Sequence, residues 1–402
     1  PWAIHFSRGA WEANVALLLT ILGTLLFVKR RYWLAAVFFG LTFWTYQGAK
    51  MFTPLLILSL VAIYPFTFKK LVKPTLVLLV FLAPMILGFG SQSGRLKVFS
   101  VFSYTRPLEI VTELLRQDDT QSYDINYYLF HSEMLDQLRG ITQRYLNHFS
   151  PNFLFFTGDW TNLRHSTPYY GNMHIPEIIT ILIGCVLLVR LKSPGARLLW
   201  AWLLLAPLPS ALSRDLVSAV RSLPLLIPLS IISGMGLAVV VNHKFSKFLI
   251  LPALFFFVVY FWDLYYVHSP IFSAADWLYP YKPALARVES EMNNYQRIVF
   301  TDRLGQPYIF ILFYLQIDPK SYQSQSQLKV NPQGDVGAVE RFNKFEFRPI
   351  FWPADRGLTS TLFVGGEYEL PENDILQTEG VNLNDVINYP NGKPALKIVG
   401  LK

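Results

Sequence analysis

Four groups of polar side chains stand out in a chain that is otherwise mostly apolar. The first is His5, Arg8 and Glu12, within Trp-Ala-Ile-His-Phe-Ser-Arg-Gly-Ala-Trp-Glu. They fall at i, i+3 and i+7, a spacing that puts all three on one face of a helix. An arginine fork is suited to phosphate or carboxylate, and an ionisable group near a membrane is costly unless it is used. The plainer expectation is an Arg8–Glu12 ion pair that only positions the helix. The second group is Asp159, Arg164 and His165, which gather an acceptor, an anion binder and a titratable ring within seven residues. Gly158 and Pro168 supply turn geometry around them, so this reads as a loop that either binds or seals a helix bundle. The third group is Ser213-Arg214-Asp215, followed by Arg221 among Val220, Leu223 and Leu225. Arg221 needs an anion there; a lipid phosphate suits it, and so does Asp215. Tyr46 and Lys50, at i and i+4, form the fourth and weakest group. His131, His148, His174 and His268 stand alone and read as surface or interfacial side chains.

These groups must be held by apolar elements. The 402 residues are 52% hydrophobic and only 15% charged, against about 25% charged in soluble domains. Disorder is excluded, and a wholly soluble enzyme is disfavoured. Eight apolar runs, at 12–28, 32–47, 51–67, 73–89, 175–190, 197–213, 216–241 and 248–264, are expected to form membrane spans. Several lie near the lower limit of about 17 residues. Lys29, Arg30 and Arg31 follow the first run, and Lys69, Lys70 and Lys73 the third. Arg190, Lys192 and Arg197 follow the fifth, and Lys244 and Lys247 the seventh. Every second loop is therefore basic, which assigns those loops to the cytoplasm. Residues 265–402 hold 13 Lys and Arg against 15 Asp and Glu, so the net charge of +8 belongs to the apolar part. That distribution points to membrane topology and not to nucleic acid. The single cysteine, Cys185, sets no disulfide framework.

The expected organisation is spans 1–4 over 1–89, an extracytoplasmic loop over 90–174, spans 5–8 over 175–264, and an extracytoplasmic domain over 265–402. Within the loop, 106–117 and 126–148 carry apolar residues at helical spacing. Two amphipathic helices follow, either lying on the outer membrane surface or packing on each other. The tail predicts a helix over 274–294, a strand at Arg297–Thr301, a helix over 307–316, loops at Gln323–Gln327 and Pro332–Gly334, and strands at Thr361–Val364 and Leu396–Val399. Such alternation suggests a small α/β or α+β domain. The fold class expected overall is an all-α polytopic membrane bundle with that domain appended.

The motifs His-Phe-Ser-Arg-Gly-Ala, Tyr-Gln-Gly-Ala-Lys, Phe-Leu-Phe-Phe-Thr-Gly-Asp with Arg-His after it, and Ser-Arg-Asp with Ala-Val-Arg-Ser-Leu-Pro occur in this order. Together with Phe-Tyr-Leu-Gln-Ile-Asp-Pro in the tail, they resemble the membrane glycosyltransferases of the GT-C fold, in the glycosyltransferase 39 or PMT-like superfamily. That superfamily includes the bacterial lipid A aminoarabinose transferase. The resemblance implies a multi-pass plasma-membrane enzyme that takes a sugar from a polyprenyl-phosphate donor at the outer leaflet. The acceptor would be a glycan, a lipid or a protein. It also implies that Arg and Lys at the span ends grip the donor phosphate. The family's catalytic acid lies in an outer loop that would precede this text, so no catalytic residue is assigned and the chain is expected to be truncated. No cofactor is implied by the residues themselves; relatives differ in using a divalent ion, and no metal-ligand spacing appears. The alternatives are a non-enzymatic protein that binds or translocates a lipid-linked saccharide, and a glycan ligase or polymerase on another helical fold.

Overall fold

The structure is a computed structural model; it describes residues 1–88, 100–103, 106–122, 124–243, 245–329 and 338–401. Lys244, part of the 90–174 loop and the Pro332–Gly334 loop lie outside the described residues. The chain divides into two compact units, Pro1–Tyr265 and Tyr266–Lys402.

The first unit is helical. Its apolar runs fold as α1 (Trp2–Arg8), α2 (Glu12–Val28), α3 (Tyr32–Thr45), α4 (Ala49–Ile63) and α5 (Val72–Leu87). After the loop helices α6 (Leu108–Gln117) and α7 (Glu133–Asn147) come α8 (Glu177–Arg190), α9 (Pro194–Leu205), α10 (Leu226–Asn242) and α11 (Ser246–Asp263). Among the described residues, two helical stretches are long and apolar enough to cross a membrane, Leu223–Asn242 with 20 residues and Ser246–Phe272 with 27. The bent pair α1 and α2 would make a third. The helices α3, α4 and α5 are apolar but shorter; at about 1.5 Å per residue each falls short of a hydrocarbon core about 30 Å thick.

Where helices meet, small residues let backbones touch. A Cβ on Gly184 of α8 would lie 1.9 Å from the Ile232 carbonyl oxygen of α10, and one on Gly236 would lie 1.8 Å from that of Thr180. The Thr180 and Ser233 hydroxyls hydrogen-bond across the same contact at 2.7 Å. Close approach through glycine with a hydroxyl pair beside it is the usual way apolar helices associate in lipid, where burial of apolar surface supplies no drive. The Thr42 and Thr53 hydroxyls join α3 to α4 in the same manner, 2.9 Å apart.

The seventh apolar run does not fold as expected. Residues 213–222 form turns and bends, and the helix begins only at Leu223. Their apolar side chains are nonetheless deeply buried, Val217 and Ala219 completely. Composition alone therefore made them look like the start of a span. Irregular backbone at such depth is tolerated only where protein groups satisfy it.

The second unit is a seven-stranded mixed sheet with helices on both faces. Its strands are β1 (Arg297–Phe300), β2 (Gln327–Lys329), β3 (Ala338–Phe342), β4 (Phe345–Phe347), β5 (Thr361–Gly365), β6 (Val381–Asn388) and β7 (Pro394–Leu401), in the order β2-β3-β4-β1-β5-β7-β6. β1 lies parallel to β4 and β5, and the remaining pairs are antiparallel. Alternation sends Ile298 and Phe300 into a core with Tyr281, Leu285 and Ile311, while Val299 joins Trp352, Phe363 and Ile375 on the opposite face. The helix expected from 274 starts at Tyr281, because Leu278 takes a left-handed conformation just ahead of it. Buried Glu369 ties together the carboxyl ends of the parallel strands. It accepts from Thr301 Oγ1 (3.0 Å), Ile350 N (3.0 Å) and Gly366 N (3.1 Å), and pairs with Arg303 (3.2 Å).

Candidate functional site

The non-helical segment 213–222 is the platform on which the sequence clusters meet. Its peptide groups are met by side chains from distant parts of the first unit. Thr161 Oγ1 donates to Val217 O (2.9 Å), and Ser218 N–H donates to His148 Nε2 (3.2 Å). Ala219 N–H donates to Asp159 Oδ2 (2.8 Å), and Ala219 O accepts from Trp2 Nε1 (3.1 Å). Asn147 Nδ2 donates to Leu216 O at 3.4 Å. With these groups paired, the backbone can be buried without a helix.

Asp159 is the keystone. Its side chain is fully buried, and Oδ1 accepts from Thr161 N (3.1 Å), Thr161 Oγ1 (2.7 Å) and Asn162 N (3.1 Å). Oδ2 takes Ala219 N–H and lies 3.1 Å from His165 Nδ1. Burial pushes the carboxyl up, but the bonds from His165, Thr161 and Ala219 outweigh it and hold Asp159 below the ordinary carboxylate value. The loop turns tightly enough for this because Gly158 sits at φ +73°, where a Cβ would also strike Ser166 Cβ at 2.7 Å. His148 is a buried anchor, contrary to the expected surface role. Its Nδ1–H donates to Arg144 O (2.7 Å), and burial lowers its pKa to about 4.

The first cluster is rearranged relative to expectation. α1 and α2 are bent by 117° at Gly9–Trp11, with Ala10 in a left-handed conformation at φ 51°. His5, Arg8 and Glu12 therefore do not share one helical face. His5 Nε2 bonds the Arg164 carbonyl oxygen at 2.6 Å, and the Arg8 guanidinium stacks 5.2 Å over the Tyr265 ring. Glu12 opens α2 as an exposed acid. His165 is walled by Trp11, with ring centroids 5.0 Å apart.

The third and fourth clusters do meet. Arg221 Nη1 pairs with Asp215 Oδ2 and donates to Ser213 Oγ (3.2 Å). Of the two anions considered for Arg221, the intramolecular carboxylate is present. Arg221 also lines a narrow cleft with Tyr46, Gly48, Ala49 and the first turns of α2. Tyr46 lies within electrostatic range of both Arg221 and Glu12. Lys50 is in the first turn of α4, next to that cleft wall, and Arg214 is exposed on the platform. The Arg164 guanidinium is half-buried and meets no acceptor among the described residues.

The four clusters are thus linked in series. His5 touches Arg164, Asp159 holds Ala219, and Arg221 shares its cleft with Tyr46. Within this series Asp159 holds the platform backbone and Asp215 pairs with Arg221. Among the described residues no group of three or more His, Cys, Asp or Glu side chains is placed to hold a metal ion. Trp2, Asn147 and Thr161 were not singled out from the sequence, and His148 was read as a surface or interfacial side chain; each meets a distant peptide group, which leaves no local pattern. In comparisons with known proteins, no family model, no characterised sequence and no solved structure matches this chain.

Proposed function

We propose that the chain is a multi-pass membrane glycosyltransferase of the GT-C kind. It takes a sugar from a polyprenyl-phosphate donor, with the platform, the 90–174 loop and the second unit on the extracytoplasmic side. The eight apolar runs span the bilayer in this reading, the shorter helices packing inside the bundle. The observation that supports it is that the Asp159–His165 loop, which carries Arg164, is fastened to the same non-helical segment that carries Arg221. Displacement at an anomeric carbon builds charge on the leaving phosphate, and fixed cations in a water-poor setting stabilise that charge. Arg221 would exchange Asp215 for the phosphate, and Arg164 would add its fork. The lipid bilayer supplies the donor; the acceptor, a glycan, a lipid or a protein, is not assigned, and neither is the base.

One observation favours a second reading. Asp159 is locked into structure and Asp215 is paired with Arg221, so both platform carboxylates serve to hold a binding surface together. A non-enzymatic binder of a lipid-linked saccharide would need none.

The test uses the full-length protein in lipid nanodiscs with a panel of labelled polyprenyl-phosphate sugars. Release of polyprenyl phosphate, with donor affinity reduced about tenfold by Arg164→Gln and by Arg221→Gln at unchanged thermal stability, is the expected result. Binding without release selects the saccharide-binder reading. Absence of binding removes both.

A further inference from the structure

The carboxyl ends of the three parallel strands in the second unit carry side chains that the proposed reaction does not use. β1 lies between β4 and β5, and the chain leaves these neighbours on opposite faces of the sheet. After β1 it enters the helix Pro307–Tyr314, whose Ile311 packs with Ile298 and Phe300. After β4 and β5 it enters Trp352–Asp355 and Glu372–Gln377, whose Trp352 and Ile375 pack with Val299 and Phe363 on the other face. Connections that part in this way open a crevice at the strand ends, the place where open α/β sheets bind ligands.

Here the three loops are fastened to one another. The buried Glu369 carboxylate takes Thr301 Oγ1 after β1, Ile350 N after β4 and Gly366 N after β5, at 3.0, 3.0 and 3.1 Å. Each anchored residue has exposed neighbours. Asp302 follows Thr301, and Phe351, 67% exposed, follows Ile350. Glu367 and Tyr368 occupy the turn that Glu369 N closes on Gly366 O (3.1 Å), and Tyr368 is 98% exposed. Exposed Arg303 leans on Glu369 through Nε at 3.2 Å.

We propose that this edge binds a saccharide. Two aromatic rings, Phe351 and Tyr368, reach solvent from turns that one carboxylate fixes, and a ring presents an apolar face on which the C–H face of a sugar can stack. Asp302 and Glu367 accept hydrogen bonds and Arg303 donates them, while sugar hydroxyls do both. The charges decide against an anion. With Arg303 set against Glu369, Asp302 and Glu367 make the rim acidic, so a phosphate or a nucleotide is repelled. An apolar ligand would desolvate the same charges with no hydrogen bond in return. This assignment stands on the second unit alone and goes beyond sugar transfer at the platform.

The test is saturation-transfer NMR on the full-length protein in nanodiscs, with empty nanodiscs as the blank. The probes are free maltotetraose, N-acetylated chitotetraose and its deacetylated form. Irradiation of the protein's aromatic protons is expected to saturate the C–H protons of at least one of them. Tyr368→Ala and Phe351→Ala should each weaken that binding about tenfold, and Tyr368→Phe, which keeps the ring face, should hold it within about twofold. Because the Tyr368 ring lies in solvent, its alanine variant should keep the parent's thermal midpoint, so lost binding reports the site and not the fold. No saturation of any of the three sugars would overturn the proposal. So would binding untouched by Tyr368→Ala, or binding abolished by Arg221→Gln, which would put the sugar on the platform. Inorganic phosphate or ATP bound in place of sugar would overturn it too and assign the edge to anions. Sugar bound at this edge with no polyprenyl phosphate released would strike the proposed function and leave the saccharide site standing.

Discussion

Replacing Asp159 separates a structural anchor from a chemical group. In Asp159→Ala five donors lose their acceptor. The Thr161 hydroxyl can turn fully to Val217 O, and His165 can rotate toward water. The peptide N–H groups of Thr161, Asn162 and Ala219 cannot, and Ala219 is completely buried. Each stranded N–H costs about 1–3 kcal/mol, most for Ala219, so the sum is about 4 kcal/mol. For a unit of this size that is a fall of about 10 °C in Tm. Asp159→Asn keeps the Oδ1 acceptor but sets an amide NH2 against the Ala219 N–H, and a loss of about 2 kcal/mol, or about 5 °C, is expected. The assay is thermal unfolding of the detergent-solubilised full-length protein, followed by tryptophan fluorescence. Because the folded carboxyl titrates below its ordinary value of 3.8, its contribution is complete above that value and disappears as pH falls through the lower folded value. The gap between parent and Asp159→Asn should therefore close only in that acid range. An alanine variant within about 2 °C of the parent would refute the anchor reasoning, more sharply still if sugar release were lost.

Three further outcomes follow from the same structure. His148 is held neutral with a pKa of about 4 against 6.5 unfolded, so the parent should lose about 3 kcal/mol as pH falls from 6.5 to 4; His148→Gln should flatten that slope in the same unfolding assay. Gly236→Ala drives a methyl into the Thr180 carbonyl oxygen and should cost about 3 kcal/mol by overpacking, whereas alanine at Gly234, which has open space around its Cβ, should leave Tm nearly unchanged. Glu369→Gln in the second unit replaces one acceptor oxygen with an NH2 facing a peptide donor and removes the charge opposite Arg303; its denaturation midpoint should fall by the equivalent of about 2 kcal/mol.

How much of this was legible depended on whether the cause was local. The ends of α2, α8 and α11 fall within two residues of the expected runs, because long apolar stretches between basic loops specify helices directly. The strands at Thr361 and Leu396 were equally plain. β3, β4 and β6 were not: β4 is three residues long, and β6 alternates asparagine with aliphatic residues in a pattern that resembles a polar turn. The bend at Ala10 was hidden because Gly9 is tolerated within a helix, so the spacing of His5, Arg8 and Glu12 suggested a shared face that does not exist. The platform was invisible for the opposite reason. Val217, Ala219 and Val220 are apolar enough to extend a helix, and what stops them is a set of bonds from residues far away in the chain. The polar clusters themselves were found by residue type, while their linkage into one site was not.

That dependence on distant bonds has a consequence for the order in which the chain matures. Ala219 is joined to Trp2 across 217 residues and to Asp159 across 60, and Ser218 to His148 across 70. Contacts of such separation form late, after the elements that carry them have docked. During synthesis the helices before and after the loop can form while residues 213–222 are still unshaped. Arg214 and Arg221 then reach their final places only when the first turn of the chain and the 148–161 segment close on them. A half-made chain therefore lacks the frame that places Arg214 and Arg221, and the platform is completed as the last act of assembly.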